Sequence, residues 1–263
     1  PGPAADGPRG LTAAELTAAW PDGCLVVRDA TGVVLESDHA RCTQPRRPHS
    51  TFKLANALVA LDAGVLDGPD APLTWDEKAI PSEPYYLESW RKPHTLRTGL
   101  AVSSVPHFRT LARTLGDARM RAGLAKLGYG NQDLTGGLDL FWLEGGLRIS
   151  ATEQLALVEG IARGTLKVSA RAQEVVREIT ELARSGDAVL HGKTGSGRVE
   201  DGTKTWLVWQ VGWITRGDTI VPYAAWMEVA GDRPWAEARG ARDVRLTAAL
   251  TSLFQFTARD ARP

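Results

Sequence analysis

Residues 204–215 read Lys-Thr-Trp-Leu-Val-Trp-Gln-Val-Gly-Trp-Ile-Thr, apolar on both faces of an extended strand. Trp206 and Val208 fall on one side and Leu207, Trp209, Val211 and Trp213 on the other, because successive strand side chains point oppositely. Such a strand must be covered by a layer on each side. Residues 189–195 and 219–230 also read as strands and make a meander with it. Near the other end, residues 24–28 and 33–36 flank the turn Asp29-Ala30-Thr31-Gly32 as a hairpin. Hairpin and meander can join in one sheet only if the two ends of the chain pack together. What lies between them is then a large insertion.

The insertion reads as helical. A capping box at Thr12 and Glu15 opens a short helix before the hairpin, and a second at Ser150 and Glu153 opens one that runs to Arg163. Residues 54–63 are an amphipathic run ended by Gly64, and 66–84 are a Pro- and Gly-rich loop. Residues 105–115 form a helix with Pro106 in its first turn and Gly116 as its stop, and Asp117 caps the next, to Gly128. Residues 169–184 read as one helix stopped by Gly186, and 235–256 as a final one. The expected fold class is α/β in the α+β sense: an antiparallel sheet flanked by helices, with a helical subdomain inserted. The sheet part is expected at 11–48 plus 187–263 and the helical part at 49–186. The cleft between them is the natural ligand site.

With 263 residues, 43% of them hydrophobic, the chain can bury one large core or two intimate subdomains. Its formal net charge of zero argues against a general nucleic-acid surface. No apolar run approaches the roughly 20 residues of a membrane helix, and no signal peptide is visible. Residues 1–10, rich in Pro and Gly, read as a disordered mature N-terminus or a truncation point. Cys24 and Cys42 flank the hairpin, either as a disulfide made in an oxidising compartment or as two buried thiols.

Ser50-Thr51-Phe52-Lys53 leads into the run at 54–63. Residues three apart share a helix face, so the Ser50 hydroxyl and the Lys53 amine can meet. A serine is a poor nucleophile until a base takes its proton, and a lysine serves as that base only if burial suppresses its charge. The free N–H groups of a helix start favour developing negative charge. Alone, the pattern is more often a helix cap followed by a solvated lysine. Three other stretches hold polar residues of the same kind. Ser103-Ser104-Val105 sits at a helix start, where an N-cap is the simpler local reading. Lys193-Thr194-Gly195-Ser196 lies on a strand, either along the cleft, with Gly195 letting a ligand approach the backbone, or as a hairpin edge. Tyr129-Gly130-Asn131 says only that the chain turns.

Taken in order, Ser-Thr-Phe-Lys at 50–53, Ser-x-Val at 103–105, Tyr-Gly-Asn at 129–131, Phe-Trp-Leu-Glu-Gly at 141–145 and Lys-Thr-Gly at 193–195 resemble the class D β-lactamases, or oxacillinases. Arg-Ile-Ser-Ala at 148–151 and Val-Gly-Trp at 211–213 extend the likeness, which runs from about residue 23 to 256. Two departures stand out: Pro-His-Ser replaces the more usual Pro-Ala-Ser before the nucleophile, and Val105 is followed by Pro-His-Phe.

The resemblance implies a serine β-lactamase/transpeptidase-like fold and hydrolysis of a small β-lactam through an acyl-enzyme on Ser50. It implies that Lys53 is N-carboxylated by CO₂ or bicarbonate and acts as general base, with no metal or other cofactor. Phe52, Val105, Trp142 and Leu143 would wall the lysine, and the Trp142 indole would donate to the carbamate. Backbone N–H groups of Ser50 and Ser196 would form the oxyanion hole. Ser103 would relay a proton to the leaving nitrogen, and Tyr129 would pack rather than react. Lys193, Thr194 and an arginine of the last helix would bind the substrate carboxylate, Arg245 being the choice and Arg242 the alternative. The bacterial periplasm and a monomer or weak homodimer are implied as well. A β-lactam sensor domain, acylated without turnover, and a D,D-peptidase acting on peptidoglycan are the rival readings.

Overall fold

The computed structural model describes residues 11–256. The stretch read as a disordered N-terminus, 1–10, lies outside the described residues, as does 257–263. In chain order the elements are α1 (Ala13–Ala19), β1 (Gly23–Arg28), β2 (Val34–Glu36), α2 (His39–Thr43), a 3-10 turn (His49–Phe52) and α3 (Lys53–Asp62). Next come β3 (Pro72–Leu73), a second 3-10 turn (Glu88–Arg91), β4 (His94–Thr95), α4 (Leu96–Ala101) and α5 (Val105–Leu127). Then follow α6 (Ala151–Arg163), α7 (Ala170–Ile179), β5 (Glu181–Ser185), β6 (Ala188–Arg198), β7 (Trp206–Arg216), β8 (Thr219–Val229) and α8 (Trp235–Phe254).

Hairpin and meander do join. The main sheet runs β2-β1-β8-β7-β6-β5, and the antiparallel pairing of β1 with β8, Cys24 opposite Trp226, makes the join. Both capping boxes form, at Thr12 and at Ser150. Gly116 breaks α5 with a φ of 78°, a value open to glycine and strained for most other residues. Residues 169–184 are not one helix. α7 stops at Ile179, and Glu181–Ser185 becomes β5, the edge strand beside β6. The apolar helical face of Val175, Val176 and Ile179 is spent by that point, and β6 offers a ladder that local propensity does not register. The short helices α2 and α4, capped by Asp38 and Thr95, and the small β3–β4 pair were not anticipated from the sequence.

The sheet separates two cores. Leu207, Trp209, Val211 and Trp213 of β7 pack with α3, α5, α6 and α7 on one side. Val208 and Ile214 pack with α1 and α8 on the other. The two-faced apolar strand is thus covered on both faces. Cys24 of β1 and Cys42 of α2 form a disulfide with a Cα–Cα separation of 5.0 Å. It closes a loop with a sequence separation of 18 residues, worth about 3 kcal/mol in the chain-entropy account. Among the described residues no helix is long and apolar enough to cross a membrane.

Candidate active site

Pro48 leads into the 3-10 turn, so Ser50 sits in that turn and Lys53 starts α3. The three-residue spacing brings them together: Lys53 Nζ donates to Ser50 Oγ at 2.7 Å. Lys53 is fully buried, and no carboxylate is paired with it among the described residues. Burial, seconded by the charge of Lys193, pushes its amine well below the ordinary lysine value.

The walls are aromatic. The Phe108 ring centroid lies 5.7 Å from Lys53 Nζ. Phe52 stacks on Trp142 with centroids 5.0 Å apart, and Phe141 and Tyr129 present their edges to Phe52. Asn56 Nδ2 donates to the Phe108 carbonyl at 3.1 Å and ties α3 to α5. Trp142 is fully buried, and its Nε1 has no acceptor. An orphaned buried donor is costly, so this one is available to an anionic acceptor. A neutral buried amine, apolar walls and a spare N–H together suit a carbamate on Lys53. Tyr129 is buried, and burial holds its phenol protonated.

Ser103 lies in the turn between α4 and α5 with φ 55°, and the N-cap position of α5 belongs to Ser104. The Ser104 hydroxyl shares a 2.7 Å hydrogen bond with His107 Nδ1, whereas no partner holds the Ser103 hydroxyl among the described residues. Val105 joins Tyr86 and Trp90 in a small apolar cluster on which Leu143 and Trp75 pack.

Past Gly192, β6 runs on beyond β5 with β7 alone as a ladder partner. Lys193, Gly195 and Gly197 share the face turned toward the Ser50 turn, where a Cβ at Gly195 would come within 2.8 Å of the Pro48 carbonyl. Lys193 is 5% exposed, and burial first, then Arg242 and Arg239, bring its amine down to about 7. Its Nζ donates to the Thr194 carbonyl at 3.1 Å. On the opposite face, Ser196 Oγ accepts from Trp235 Nε1 of α8 at 2.7 Å.

The three arginines of α8 sit differently. Arg245 turns away and pairs with Asp22 between α1 and β1 at 3.0 Å. Arg242, the alternative, is 3% exposed and held by Asp243. Arg239 is half-buried, its charge reaches Lys193 after that of Arg242, and its guanidinium lies 4.3 Å above the ring of Trp235. At about 3.6 residues per turn, positions six apart look out from different sides of a helix.

His49 is the other residue the sequence left without a role. It is buried, has φ 49°, and lies against Gly197. Burial first, then Arg47, Arg148 and Lys53, hold it neutral, down to about 3.

A serine touching a buried amine, beside a cationic strand face, is an arrangement that suits serine acyl transfer. Over residues 23–240 the chain matches the penicillin binding protein transpeptidase domain family. It is 35% identical to β-lactamase OXA-10 of Pseudomonas aeruginosa over 193 residues, 73% of this chain and 71% of that protein. It is 36% identical to β-lactamase OXA-48 of Klebsiella pneumoniae over 203 residues, 77% and 72% of the two. The crystal structure of FUS-1 (OXA-85), a class D β-lactamase from Fusobacterium nucleatum subsp. polymorphum, is similar at a TM-score of 0.79 and 33% identity, over 88% of this chain and 92% of that one. With its fold, its site and these relatives in agreement, the chain belongs to the class D β-lactamases, hydrolases within the penicillin-binding transpeptidase family.

Proposed function

We propose that the protein hydrolyses β-lactam antibiotics through an acyl-enzyme on Ser50, with Lys53, N-carboxylated, as general base in both halves of the reaction. The observation that carries this reading is the 2.7 Å contact between Lys53 Nζ and Ser50 Oγ, beside a buried Trp142 Nε1 with no acceptor. Trp142 would hold the added carboxylate. Carried on Lys53, CO₂ supplies an oxyanion base where burial has suppressed a cation.

In acylation, Ser50 Oγ loses its proton toward Lys53 and bonds to the β-lactam carbonyl carbon. The carbonyl electrons move to oxygen, where the N–H groups of Ser50 and Ser196 receive them. The C–N bond of the ring then breaks, and Ser103 passes a proton to the departing nitrogen. In deacylation, water gives its proton on the Lys53 side and its oxygen to the ester carbon, which frees Ser50. Lys193, Thr194 and Arg239 bind the substrate carboxylate, and the substrate lies along β6, while the missing Cβ of Gly195 makes room for Pro48 and Thr51 of the Ser50 turn. Val105 and Leu143 wall the apolar side. The Cys24–Cys42 disulfide supports an oxidising compartment, and the bacterial periplasm is the one we infer.

The test is a time course of chromogenic cephalosporin cleavage, at near-stoichiometric and then dilute enzyme, with and without bicarbonate. Sustained turnover that bicarbonate raises is expected. A single burst equal to the enzyme concentration would replace this reading with a sensor or peptidase that acylates and stops.

A further inference from the structure

The turn that carries Ser50 touches β6 at two glycines, and the contacts fall on both sides of Ser50. Gly195 lies under Pro48 and Thr51: a Cβ there would meet the Pro48 carbonyl at 2.8 Å and Thr51 Cγ2 and N at 3.0 Å. Gly197 lies under His49, and a Cβ there would overlap the imidazole ring itself. His49 immediately precedes Ser50, and Gly197 immediately follows Ser196. The ring is therefore one residue removed from each of the two backbone donors assigned above to the oxyanion.

The position looks built for this contact rather than for proton transfer. The ring is 3% exposed, and Nε2 has no hydrogen-bond partner. The φ of 49° is a left-handed conformation, uncommon for a residue with a side chain and most tolerable for Gly, Asn, Asp and His. The approach to the turn is held independently, by Trp209 Nε1 donating to the Arg47 carbonyl at 3.0 Å. Arg47 in turn pairs with Glu200 of the β6–β7 loop at 2.8 Å, and Arg148 pairs with the same carboxylate. These ties anchor the loops around the contact. The spacing between Ser50 and Ser196 is left to what lies between the turn and the strand.

We propose that His49 is a positioning residue: its imidazole, seated on Gly197, sets the separation of the two oxyanion-hole donors. The inference rests on the acyl-enzyme reading above. It makes His49 and Gly197 one complementary pair, in which the missing Cβ of one makes room for the ring of the other. The substitution of His for the more usual Ala before the nucleophile is then part of how this chain spaces its site.

A double-variant cycle tests it. His49→Asn removes the ring while keeping a residue that tolerates the left-handed conformation. Gly197→Ala puts a methyl where the ring sits. Single-turnover acylation by a fluorescent penicillin, deacylation of the purified adduct and the melting temperature are measured for wild type, both single variants and the double variant. Gly197→Ala is expected to slow acylation about tenfold, and the same change in the His49→Asn background to cost nothing further or to restore rate, an interaction of the size seen for residues in contact. Deacylation passes through a tetrahedral intermediate held by the same two donors, so it should slow with acylation in Gly197→Ala and recover with it in the double variant, while the pre-covalent affinity, read from the concentration dependence of acylation, stays within about twofold of wild type; a general loss of stability would not spare binding in that way. Should Gly197→Ala fail to fold, a folded and acylating double variant is the same rescue. Effects that multiply in the double variant, or a Gly197→Ala protein that acylates like wild type, would overturn the proposal. If wild type itself forms no adduct, it is the acyl-enzyme reading that fails, and the two failures are distinct.

Discussion

Lys53 and Lys193 are both buried, and burial lowers both amines, yet their surroundings differ. Lys53 lies 5.7 Å from the Phe108 ring centroid, donates to the Ser50 hydroxyl, and follows Phe52, which stacks on Trp142, whose N–H is unused. Lys193 sits on a strand with a carbonyl acceptor and two arginines in range. An apolar shell that includes an unused donor suits an amine that is neutral and gains an anionic group. A shell of positive charge suits an amine that waits for an anion from outside. Burial of the same residue type thus serves two purposes, and the neighbours decide which.

The comparison breaks first at Lys53. Lys53→Ala should cut steady-state turnover by about a thousandfold or more, the range of a lost general base; an active variant would remove Lys53 from the chemistry. Trp142→Phe keeps the packing against Phe52 but removes the indole N–H. It should lower turnover about tenfold, the scale of a hydrogen bond to a charged group, with deacylation falling more than acylation and saturating bicarbonate restoring part of the loss. Equal loss in both steps would argue that Trp142 only packs. On the Lys193 side, Arg239→Ala should raise KM for a carboxylated β-lactam about tenfold with kcat little changed, while Arg245→Ala leaves KM as it was. The reverse result would return the carboxylate to Arg245.

The smallest effect is a slope with pH. Lys193 is down at about 7 in the folded protein, against about 10.4 in an unfolded chain. Across that window the unfolded chain holds a proton that the folded one has shed, so thermal stability should rise with pH between the two values. Over the same range KM should climb as the cation is lost. Lys193→Met should flatten both trends, and a slope that survives the substitution would belong to another group.

Much of this was legible beforehand, for local reasons. The period of β7 demanded two covering layers, the capping boxes marked where α1 and α6 begin, and Gly116 marked the break in α5. The three-residue spacing from Ser50 to Lys53 survives the replacement of an α-helical start by a 3-10 turn, because both geometries put those side chains on one side. β5 was hidden, because an edge strand of Glu181, Leu182, Ala183, Arg184 and Ser185 has no strand signature until β6 is beside it.

Chain order and residue type were thus enough to bring Ser50 and Lys53 together and to give the layered α+β architecture, because each depends on spacing within a few residues. They could not choose between a disulfide and two free thiols, or foresee that Arg245 pairs with Asp22 while Arg239 lies over Trp235. Nor could they see that Trp142 is a donor without an acceptor, or that His49 rests on Gly197. Those facts depend on which surfaces meet across the sheet and on how completely each group is desolvated. Both are properties of the packed chain, set by contacts between residues as far apart as Asp22 and Arg245, 223 positions from each other.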